Sequence, residues 1–542
     1  MTKQITIAAL LLTFISTNAQ NSYVSKAWVA DNGNGTYKNP VINADYSDPD
    51  AIRVGEDYYL ISSSFNHVPG LPILHSKDLV NWTIIGHALK RQPPFDHFSK
   101  VQHGNGVWAP AIRYYKNEFF IYYPDPDFGI YVTRAKNITG PWSDPVLVEA
   151  GKGLIDPCPL WDDNGKVYLV HAYAGSRAGI KSVIVVKQMN PDGTKTIDGG
   201  VMVYDGHDLD PTIEGPKFYK RNGYYYIFAP AGGVSTGWQL VLRSKNIYGP
   251  YERKVVMDQG STPVNGPHQG AWVDTKTGGH WFLHFQDKEA YGRVVHLQPM
   301  KWLNDWPVIG EDKDGDGKGE PVLVYKKPDV AKTNRILTPE DSDEFEGNKI
   351  GLQWQWQANP QPYWAFPYNG KLRLFSCQVS DTIKNYWETP NLLMQKFPAD
   401  EFMVTAKLSF KPRLDGEKAG LIILGADYAY ISLIKRTDGN YISYSICKEA
   451  DRGKKETVQD GEKVSSADIY FRVKVTKGAV CEFSYSEDGI SYRSFGEKLV
   501  AKPGRWVGAK VGLFCTRTVK TNDSGFADVD WFRVETPSNL PL

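Results

Sequence analysis

Asp48-Pro-Asp-Ala-Ile-Arg53, followed by Asp57-Tyr-Tyr-Leu-Ile61, opens a phrase that this 542-residue chain repeats five times. Each copy places a polar or aromatic residue before an apolar stretch, a polar turn and an aromatic-rich strand. The copies begin with Asp48, Trp108, Asp156, Glu214 and His268, so they recur at intervals of about fifty residues. A repeat of this length filled with short strands is typical of a propeller with one blade per copy.

A second part of the repeat supports this interpretation. The segments 76–82, 135–142 and 244–251 each combine a turn of Asn, Asp, Gly or Pro with a closing aromatic residue, and each follows the aromatic strand of its copy. Turn residues at regular spacing and weak helical periodicity predict an all-β fold. We therefore expect a five-bladed β-propeller over residues 28–325.

The pattern changes after the fifth copy. Residues 326–339 are polar and contain proline, which is typical of a linker. Beyond them the strands are longer and alternate apolar with polar residues, as in 402–410 and 469–475. This alternation indicates half-buried antiparallel sheets, so residues 340–537 are predicted to form a β-sandwich, of the concanavalin-like kind.

Composition excludes some classes of partner. Lys+Arg number 62 and Asp+Glu 61, giving a net charge of +1 and no electrostatic reason to prefer nucleic acid. Aromatic residues make up 13% of the chain, which suits both strand packing and the stacking of sugar rings. A neutral carbohydrate is the expected partner, and the sequence leaves the oligomeric state open.

The N-terminus predicts export. One early lysine, a short apolar run and a small residue before Gln20 indicate a signal peptide over residues 1–19, with a buried helix as the alternative. We expect a periplasmic or extracellular protein without a membrane anchor, since no cysteine precedes Cys158 and no other apolar stretch has membrane length. The five cysteines indicate buried thiols, with one disulfide among the last four as an option.

The first residues of the repeats carry the chemistry. Equivalent positions of propeller blades meet at the central axis, so Asp48, Asp156 and Glu214 are expected to converge there. Glycoside hydrolysis needs one carboxylic acid to protonate the leaving oxygen and one carboxylate to act as base or nucleophile. A third carboxylate beside the acid raises its pKa by like-charge repulsion.

Several short motifs resemble those of glycoside hydrolase family 43. They are Ser47-Asp-Pro-Asp50, Gly106-Val-Trp-Ala-Pro110, Leu154-Ile-Asp-Pro157, Ile213-Glu-Gly-Pro216 and Gly292-Arg293. The resemblance covers essentially the whole mature chain, because the β-xylosidase branch of that family also carries a C-terminal sandwich. It implies an inverting enzyme in which Asp48 is the general base, Glu214 the general acid, and Asp156 the residue that raises the pKa of Glu214 and orients it.

The resemblance also implies substrate-binding residues. Arg293 matches an arginine that binds sugar hydroxyls, and Phe65 and Trp108 match hydrophobic walls of the innermost subsite; from the residues alone, a strand arginine and core aromatics are the alternatives. His268 is a candidate for holding a hydrated calcium ion in the propeller channel, or else a hydrogen-bonded axial histidine. No cofactor is expected for the chemistry itself.

A separate acidic segment lies at Asp312-Lys-Asp-Gly-Asp-Gly317. It has the spacing of a calcium loop, but Leu323 stands where an EF-hand has its bidentate glutamate. A solvated acidic turn closing the last blade is the interpretation, with an isolated weak ion site as the alternative.

Three functions compete with one another at this stage. The resemblance favours an exo-acting β-xylosidase that releases xylose from non-reducing ends of xylo-oligosaccharides, because the sandwich of such enzymes closes one side of the cleft. An α-L-arabinofuranosidase acting on arabinoxylan or arabinan side chains is second, and a non-catalytic sugar-binding propeller is third. A fructan-hydrolysing propeller is disfavoured because Asp48 lacks that family's Trp-x-Asn-Asp-Pro-Asn phrase. The Gly504–Gly508 loop is a candidate for closing the pocket.

Overall fold

The computed structural model describes residues 22–332 and 334–537. The predicted signal peptide lies outside the described residues. Among the residues described, no helix is both long enough and apolar enough to cross a membrane. Nearly all regular structure is strand, and the helical segments are single turns at Gly175–Ala178, His97–Ser99, Glu289–Tyr291, Tyr386–Glu388 and Ala450–Arg452.

The five repeats form five antiparallel four-stranded blades, which confirms the predicted propeller. Blade 1 comprises Asp50–Val54, Asp57–Ile61, Gly70–Ser76 and Trp82–Leu89. Blade 2 comprises Ala111–Tyr115, Glu118–Asp125, Gly129–Ala135 and Val146–Ala150. Blade 3 comprises Leu154–Trp161, Val167–Tyr173, Val183–Met189 and Val201–Asp205. Blade 4 comprises Lys217–Arg221, Tyr224–Ala231, Trp238–Ser244 and Glu252–Met257. Blade 5 comprises His268–Asp274, His280–Asp287, Arg293–Leu303 and Trp306–Ile309.

The first strand of each blade is the innermost. First strands of blades 1 and 2, 2 and 3, 3 and 4, and 5 and 1 contact one another. The ring is closed by an antiparallel pair, Thr36–Lys38 with Val324–Lys326, which joins the two ends of the propeller sequence. The start of each repeat is therefore held at the axis.

The aromatic residues that close the repeated turns all make the same kind of hydrogen bond. Trp82 Nε1 donates to Leu79 O, Trp142 Nε1 to Ile138 O, and Tyr251 OH to Ile247 O. Each bond ties the aromatic ring to the turn that precedes it, so these residues are structural.

The second domain is a sandwich of two eight-stranded sheets. The first sheet contains Gln355–Trp356, Cys377–Gln378, Leu393–Lys396, Lys418–Leu424, Tyr428–Arg436, Gly439–Cys447, Thr457–Val464 and Lys510–Arg517. The second contains Ala365–Tyr368, Lys371–Phe375, Phe402–Lys411, Asp468–Thr476, Val480–Ser486, Arg493–Ser494, Leu499–Val500 and Phe526–Glu535. The alternating residues of 402–410 and 469–475 fill the core between the sheets.

The first sheet docks on the propeller through backbone hydrogen bonds. Val68 N donates to Trp356 O, and Trp356 N donates to Val68 O. In addition, Ala509 N donates to Ala290 O. The last of these contacts places the loop before strand Lys510–Arg517 beside the propeller axis.

The optional disulfide is wrong, because all five cysteines are free and buried. Cys377, Cys481 and Cys515 pack in the sandwich core among apolar side chains. Their role is to fill space in the core, as free cysteines commonly do.

Candidate active site

The first residues of the repeats meet at one end of the propeller axis. A pocket with an empty volume of about 480 Å³ lies there. Its lining residues are Asp48, Phe65, Trp108, Ala109, Ile155, Asp156, Glu214, Val234, Gln269, Arg293 and Trp506. Five of the six residues expected to be catalytic or to bind substrate come from five different blades, and Phe65 comes from a loop of blade 1. His268, the seventh predicted residue, lies directly behind Glu214.

Two of the three carboxylates sit on unusual backbone. Asp48 and Asp156 have φ of 55° and 57°, and each precedes a proline. This left-handed conformation is uncommon for a residue other than glycine and costs on the order of 1–3 kcal/mol. In blade 3 the pairing register also shifts between Ile155 and Cys158, which marks a bulge at Asp156. Such irregularities re-aim side chains at functional sites, and here both carboxylates line the pocket.

Asp48 is held by three donors. Ser47 Oγ and Ser63 Oγ both donate to Asp48 Oδ2, and Arg293 Nη1 lies 3.3 Å from Asp48 Oδ1. Arg293 Nη1 also donates to Ser47 Oγ over 3.1 Å. Both oxygens of Asp48 therefore have hydrogen-bond donors that fix the orientation of this side chain in the pocket.

Asp156 and Glu214 form a pair on neighbouring blades. Gly215 N, next to Glu214, donates to Asp156 Oδ2 over 2.7 Å. Burial, and then the Glu214 carboxylate, raise the pKa of Asp156 to about 8, whereas the Gly215 N–H and Lys217 oppose the rise. The pair therefore retains a proton near neutral pH, and this proton belongs to the pair rather than to one residue.

Glu214 is the most accessible of the three carboxylates. Its side chain is 31% exposed, against 6% for Asp48. Glu214 Oε1 lies 3.0 Å from His268 Nε2, and the histidine is fully buried. Glu214 can thus reach a bound molecule while the His268 ring fixes one of its oxygens.

His268 is the residue predicted to lie beside a hydrated calcium ion. Its Nε2 is committed to Glu214, and no hydrogen-bond partner for its buried Nδ1 exists among the residues described. Calcium prefers six to eight oxygen ligands. Within residues 22–332 and 334–537, only Asp312, Asp314 and Asp316 bring three candidate ligand atoms together. Those residues lie on an exposed turn, so an ion beside His268 stays a prediction.

The aromatic walls are fixed by the backbone around them. Phe65 and Val107 exchange backbone hydrogen bonds, and a Cβ on Gly106 would lie 2.3 Å from Phe65 O, so this close approach requires glycine. The Phe65 and Trp108 rings stand edge to face with centroids 6.5 Å apart. Trp108 Nε1 donates to Gly104 O. Two rigid rings therefore form one side of the pocket.

A further wall of the pocket comes from the sandwich. Trp506 has φ of 65°, and its ring lies 6.1 Å from the Trp108 ring and 5.8 Å from Cζ of Arg293. The sequence indicated the Gly504–Gly508 loop but not this residue; a tryptophan in a short loop with glycine at both ends was the available signal. Because Trp506 covers one side, the cleft is a pocket rather than an open groove.

Gln269 and Val234 were not predicted. Gln269 follows His268 at a register shift in blade 5, and its Oε1 has no hydrogen-bond partner in the described part of the chain. Its position directly after a repeat start could have identified it. Val234 lies in a blade 4 loop whose sequence carries no corresponding signal.

Together these groups supply a hydrogen-bonded carboxylate, a protonated carboxyl pair and an arginine around a pocket with aromatic walls. Comparison with known proteins agrees with this chemistry. The sequence model of glycosyl hydrolases family 43 matches residues 37–307, and that of the beta xylosidase C-terminal concanavalin A-like domain matches residues 342–535.

Individual proteins are similar over nearly the full length. A putative beta-xylosidase of Xylanibacter ruminicola is 40% identical over 91% of this chain and 88% of its own. The non-reducing end alpha-L-arabinofuranosidase BoGH43B of Bacteroides ovatus is 28% identical over 92% and 94%. A crystal structure of a mutant of the GH43 protein BlXynB from Bacillus licheniformis is 26% identical, covers 92% of this chain and 100% of its own, and has a TM-score of 0.79. The chain therefore belongs to glycosyl hydrolase family 43 and is an O-glycosyl hydrolase.

Proposed function

We propose that the protein is an exo-acting β-xylosidase that releases xylose from the non-reducing ends of xylo-oligosaccharides. The observation that carries the proposal is the pocket itself: three carboxylates from three blades face one cavity that Trp506 closes on one side. A closed pocket admits a chain end, whereas an endo-acting enzyme needs an open groove. The relative with 40% identity bears a β-xylosidase name.

In the proposed reaction Glu214 gives its proton to the glycosidic oxygen as the bond to the anomeric carbon breaks. A water molecule attacks that carbon from the opposite face, and Asp48 takes a proton from the water. Asp156, as an anion beside Glu214, keeps the proton of the pair on Glu214 until transfer. The single displacement inverts the anomeric configuration.

Arg293, Phe65 and Trp108 are assigned to substrate binding. The Arg293 guanidinium is held by Ser47 and Asp48 at the pocket wall and has further donors for sugar hydroxyls. The two aromatic rings offer flat apolar surfaces on which a sugar face stacks.

The catalytic assignment is tested with Glu214→Gln and Asp48→Asn on xylobiose, whose leaving xylose must be protonated. Loss of a general acid or base lowers kcat by roughly 10²- to 10⁴-fold, so we expect both variants to fall within this range. Asp163→Asn, which alters an exposed carboxylate of blade 3, is the control and should retain wild-type activity. Unchanged hydrolysis by the first two variants would overturn the catalytic assignment, and absence of hydrolysis by the wild type would leave a sugar-binding propeller as the better description.

Stereochemistry is tested by following the first product by NMR. Inversion predicts that a β-xyloside releases α-xylose before mutarotation. Initial release of β-xylose would contradict the single displacement.

An α-L-arabinofuranosidase is the second candidate, because BoGH43B bears that name and is similar over most of the chain. A panel of aryl β-xyloside, aryl α-L-arabinofuranoside and xylobiose separates the two. The proposal requires the larger kcat/KM for the xylosides; a preference for the arabinoside would reverse the assignment.

We also propose that the protein is exported and that its chemistry needs no cofactor. Residues 1–19 carry the charged, apolar and small-residue regions of a signal peptide. Expression in a bacterial host should yield a periplasmic protein that begins at Gln20, as mass spectrometry would reveal. Chelation of divalent ions should leave kcat unchanged and lower the melting temperature only if a structural calcium ion occupies the channel.

A further inference from the structure

A buried cation lies on the innermost strand of blade 4, close to Glu214 in the chain. Lys217, three residues after Glu214 on the innermost strand of blade 4, is 0% exposed. Its Nζ donates to Pro110 O of blade 2 over 3.1 Å, and no carboxylate lies within 4.0 Å of it in the described part of the chain. A lysine buried with one neutral partner is uncommon.

An ammonium group without a nearby anion is costly to bury, by several kcal/mol. The charge must therefore interact with an anion that is close but not in contact. Asp156 is that anion: the N–H of Gly215, two residues before Lys217, donates to Asp156 Oδ2 over 2.7 Å, and Lys217 opposes the rise in the pKa of this carboxyl. Asp48 on blade 1 also acts on Asp156, as a like charge.

The other carboxylate at this level is already neutralised. Asp50 accepts from Arg113 Nη1 over 2.7 Å, and Arg113 Nη2 lies 2.7 Å from Cys158 Sγ. Arg113 Cζ also lies 5.4 Å from the centroid of the Tyr219 ring. Since Arg113 has its own anion in Asp50, the Lys217 charge is left for the catalytic carboxylates.

We propose that Lys217 is a positioning residue for catalysis: its positive charge favours the ionised form of Asp156 and thereby leaves the proton of the Asp156–Glu214 pair on Glu214. The inference rests on the proposed roles of Glu214 and Asp156 in hydrolysis. Without the Lys217 charge, Asp156 competes for the proton, and Glu214 has less to give to the leaving oxygen. The substrate bond that most needs this proton is one with a poor leaving group.

A structural role makes a different prediction. If Lys217 only ties blade 4 to blade 2 through Pro110 O, its loss lowers stability and affects all substrates alike. The leaving group of the substrate therefore separates the two roles, because 2,4-dinitrophenolate departs without protonation whereas the xylose of xylobiose does not.

The experiment compares Lys217→Met, Lys217→Gln and Lys217→Arg with wild type on 2,4-dinitrophenyl β-xyloside and on xylobiose. We expect the two neutral variants to lose at least about tenfold in kcat on xylobiose, with little change on the dinitrophenyl substrate and in KM. Lys217→Arg keeps the charge and should retain the wild-type ratio of the two rates. The pH profile of kcat on xylobiose should move in the neutral variants and stay in place in Lys217→Arg.

Glu214→Ala separates failure of the inference from failure of the proposed function. It should lose activity on xylobiose far more than on the dinitrophenyl substrate. Equal losses on both substrates in Glu214→Ala would overturn the proposed acid. If Glu214→Ala behaves as expected but the neutral Lys217 variants lose both activities equally, only the role of Lys217 is overturned. Should neither neutral variant fold, a folded Lys217→Arg that loses activity on xylobiose but not on the dinitrophenyl substrate overturns the inference, because this variant keeps the positive charge.

Discussion

Asp45 Oδ2 accepts a 2.9 Å hydrogen bond from the backbone N–H of Gly508, which joins the propeller to the sandwich beside the pocket. The other oxygen, Asp45 Oδ1, accepts from the backbone N–H of Arg293 over 2.9 Å. One buried carboxylate thus fixes the segment that carries the pocket arginine and the loop that carries Trp506. Asp45 therefore helps to set the position of Trp506 relative to Arg293.

Replacing Asp45 with alanine should loosen both walls. Each buried N–H left without an acceptor costs about 1–3 kcal/mol, so the melting temperature is expected to fall and KM for an aryl xyloside to rise. Asp45→Asn keeps one acceptor oxygen and should lie between alanine and wild type. Calorimetry and steady-state kinetics measure both effects, and an Asp45→Ala variant equal to wild type in both would show that the walls are fixed elsewhere.

Trp506→Ala should weaken substrate binding without unfolding the protein. The side chain is 42% exposed, so its removal leaves little cavity. Loss of one aromatic contact of about 0.5–1.5 kcal/mol corresponds to a rise in KM of roughly 2- to 12-fold. Trp506→Phe should recover part of the loss.

The matched control for Trp506 is Trp531→Ala. That tryptophan lies on the second sheet of the sandwich, where it packs on Tyr470. It should leave KM unchanged. A Trp506→Ala variant with wild-type KM would mean that the sandwich does not contribute to the subsite.

The buried carboxyl of Asp125 is expected to make the protein less stable as pH rises. It is fully buried, its Oδ2 has no hydrogen-bond partner in the described chain, and burial raises its pKa to about 8. The folded state therefore holds a proton that the unfolded state releases near pH 4. Its contribution to stability is complete below that pH and is lost as pH rises through 8.

Asp125→Asn removes this titration while nearly preserving shape. The free energy of unfolding, measured by urea titration from pH 4.5 to 8.5, should fall less steeply in the variant than in wild type. Parallel curves would contradict a protonated Asp125.

Lys510 is expected to make stability depend on pH in the opposite direction. Burial, and then the neighbouring Lys396, lower its pKa to about 7, below the value of about 10.4 in an unfolded chain. The two lysines face each other on adjacent strands, with Asp45 the acidic group that acts on both. Between these pH values the unfolded state binds the extra proton, so stability should rise with pH.

Lys510→Met removes that dependence. The melting temperature of the variant is expected to exceed that of wild type at pH 7 and to change less between pH 7 and 10. A slope identical to that of wild type would indicate that Lys510 is paired in solution.

Much of the architecture could be predicted because a propeller converts a sequence period into a spatial ring. The five repeat starts led directly to five blades and to the grouping of Asp48, Asp156 and Glu214 at the axis. Alternation of apolar residues likewise predicted the sandwich strands. The optional disulfide was wrong because cysteine spacing does not reveal which thiols simply pack in a core.

What the repeats could not predict are contacts between residues far apart in sequence and outside the repeat. Trp506 reaches the pocket from a loop that is held by Asp45, more than four hundred residues earlier in the chain, and by Ala290. The shared proton of Asp156 and Glu214 and the unpaired charge of Lys217 depend on burial, which follows from how the blades close.

Local motifs and repeat symmetry were therefore enough to predict the fold class, the family and the grouping of the three carboxylates. The side chain that closes the pocket, the buried lysine on the strand after Glu214 and the contacts between the two domains became apparent from the folded chain alone. Those properties arise from distances and burial in three dimensions, and neither is encoded in the spacing of residues along the chain.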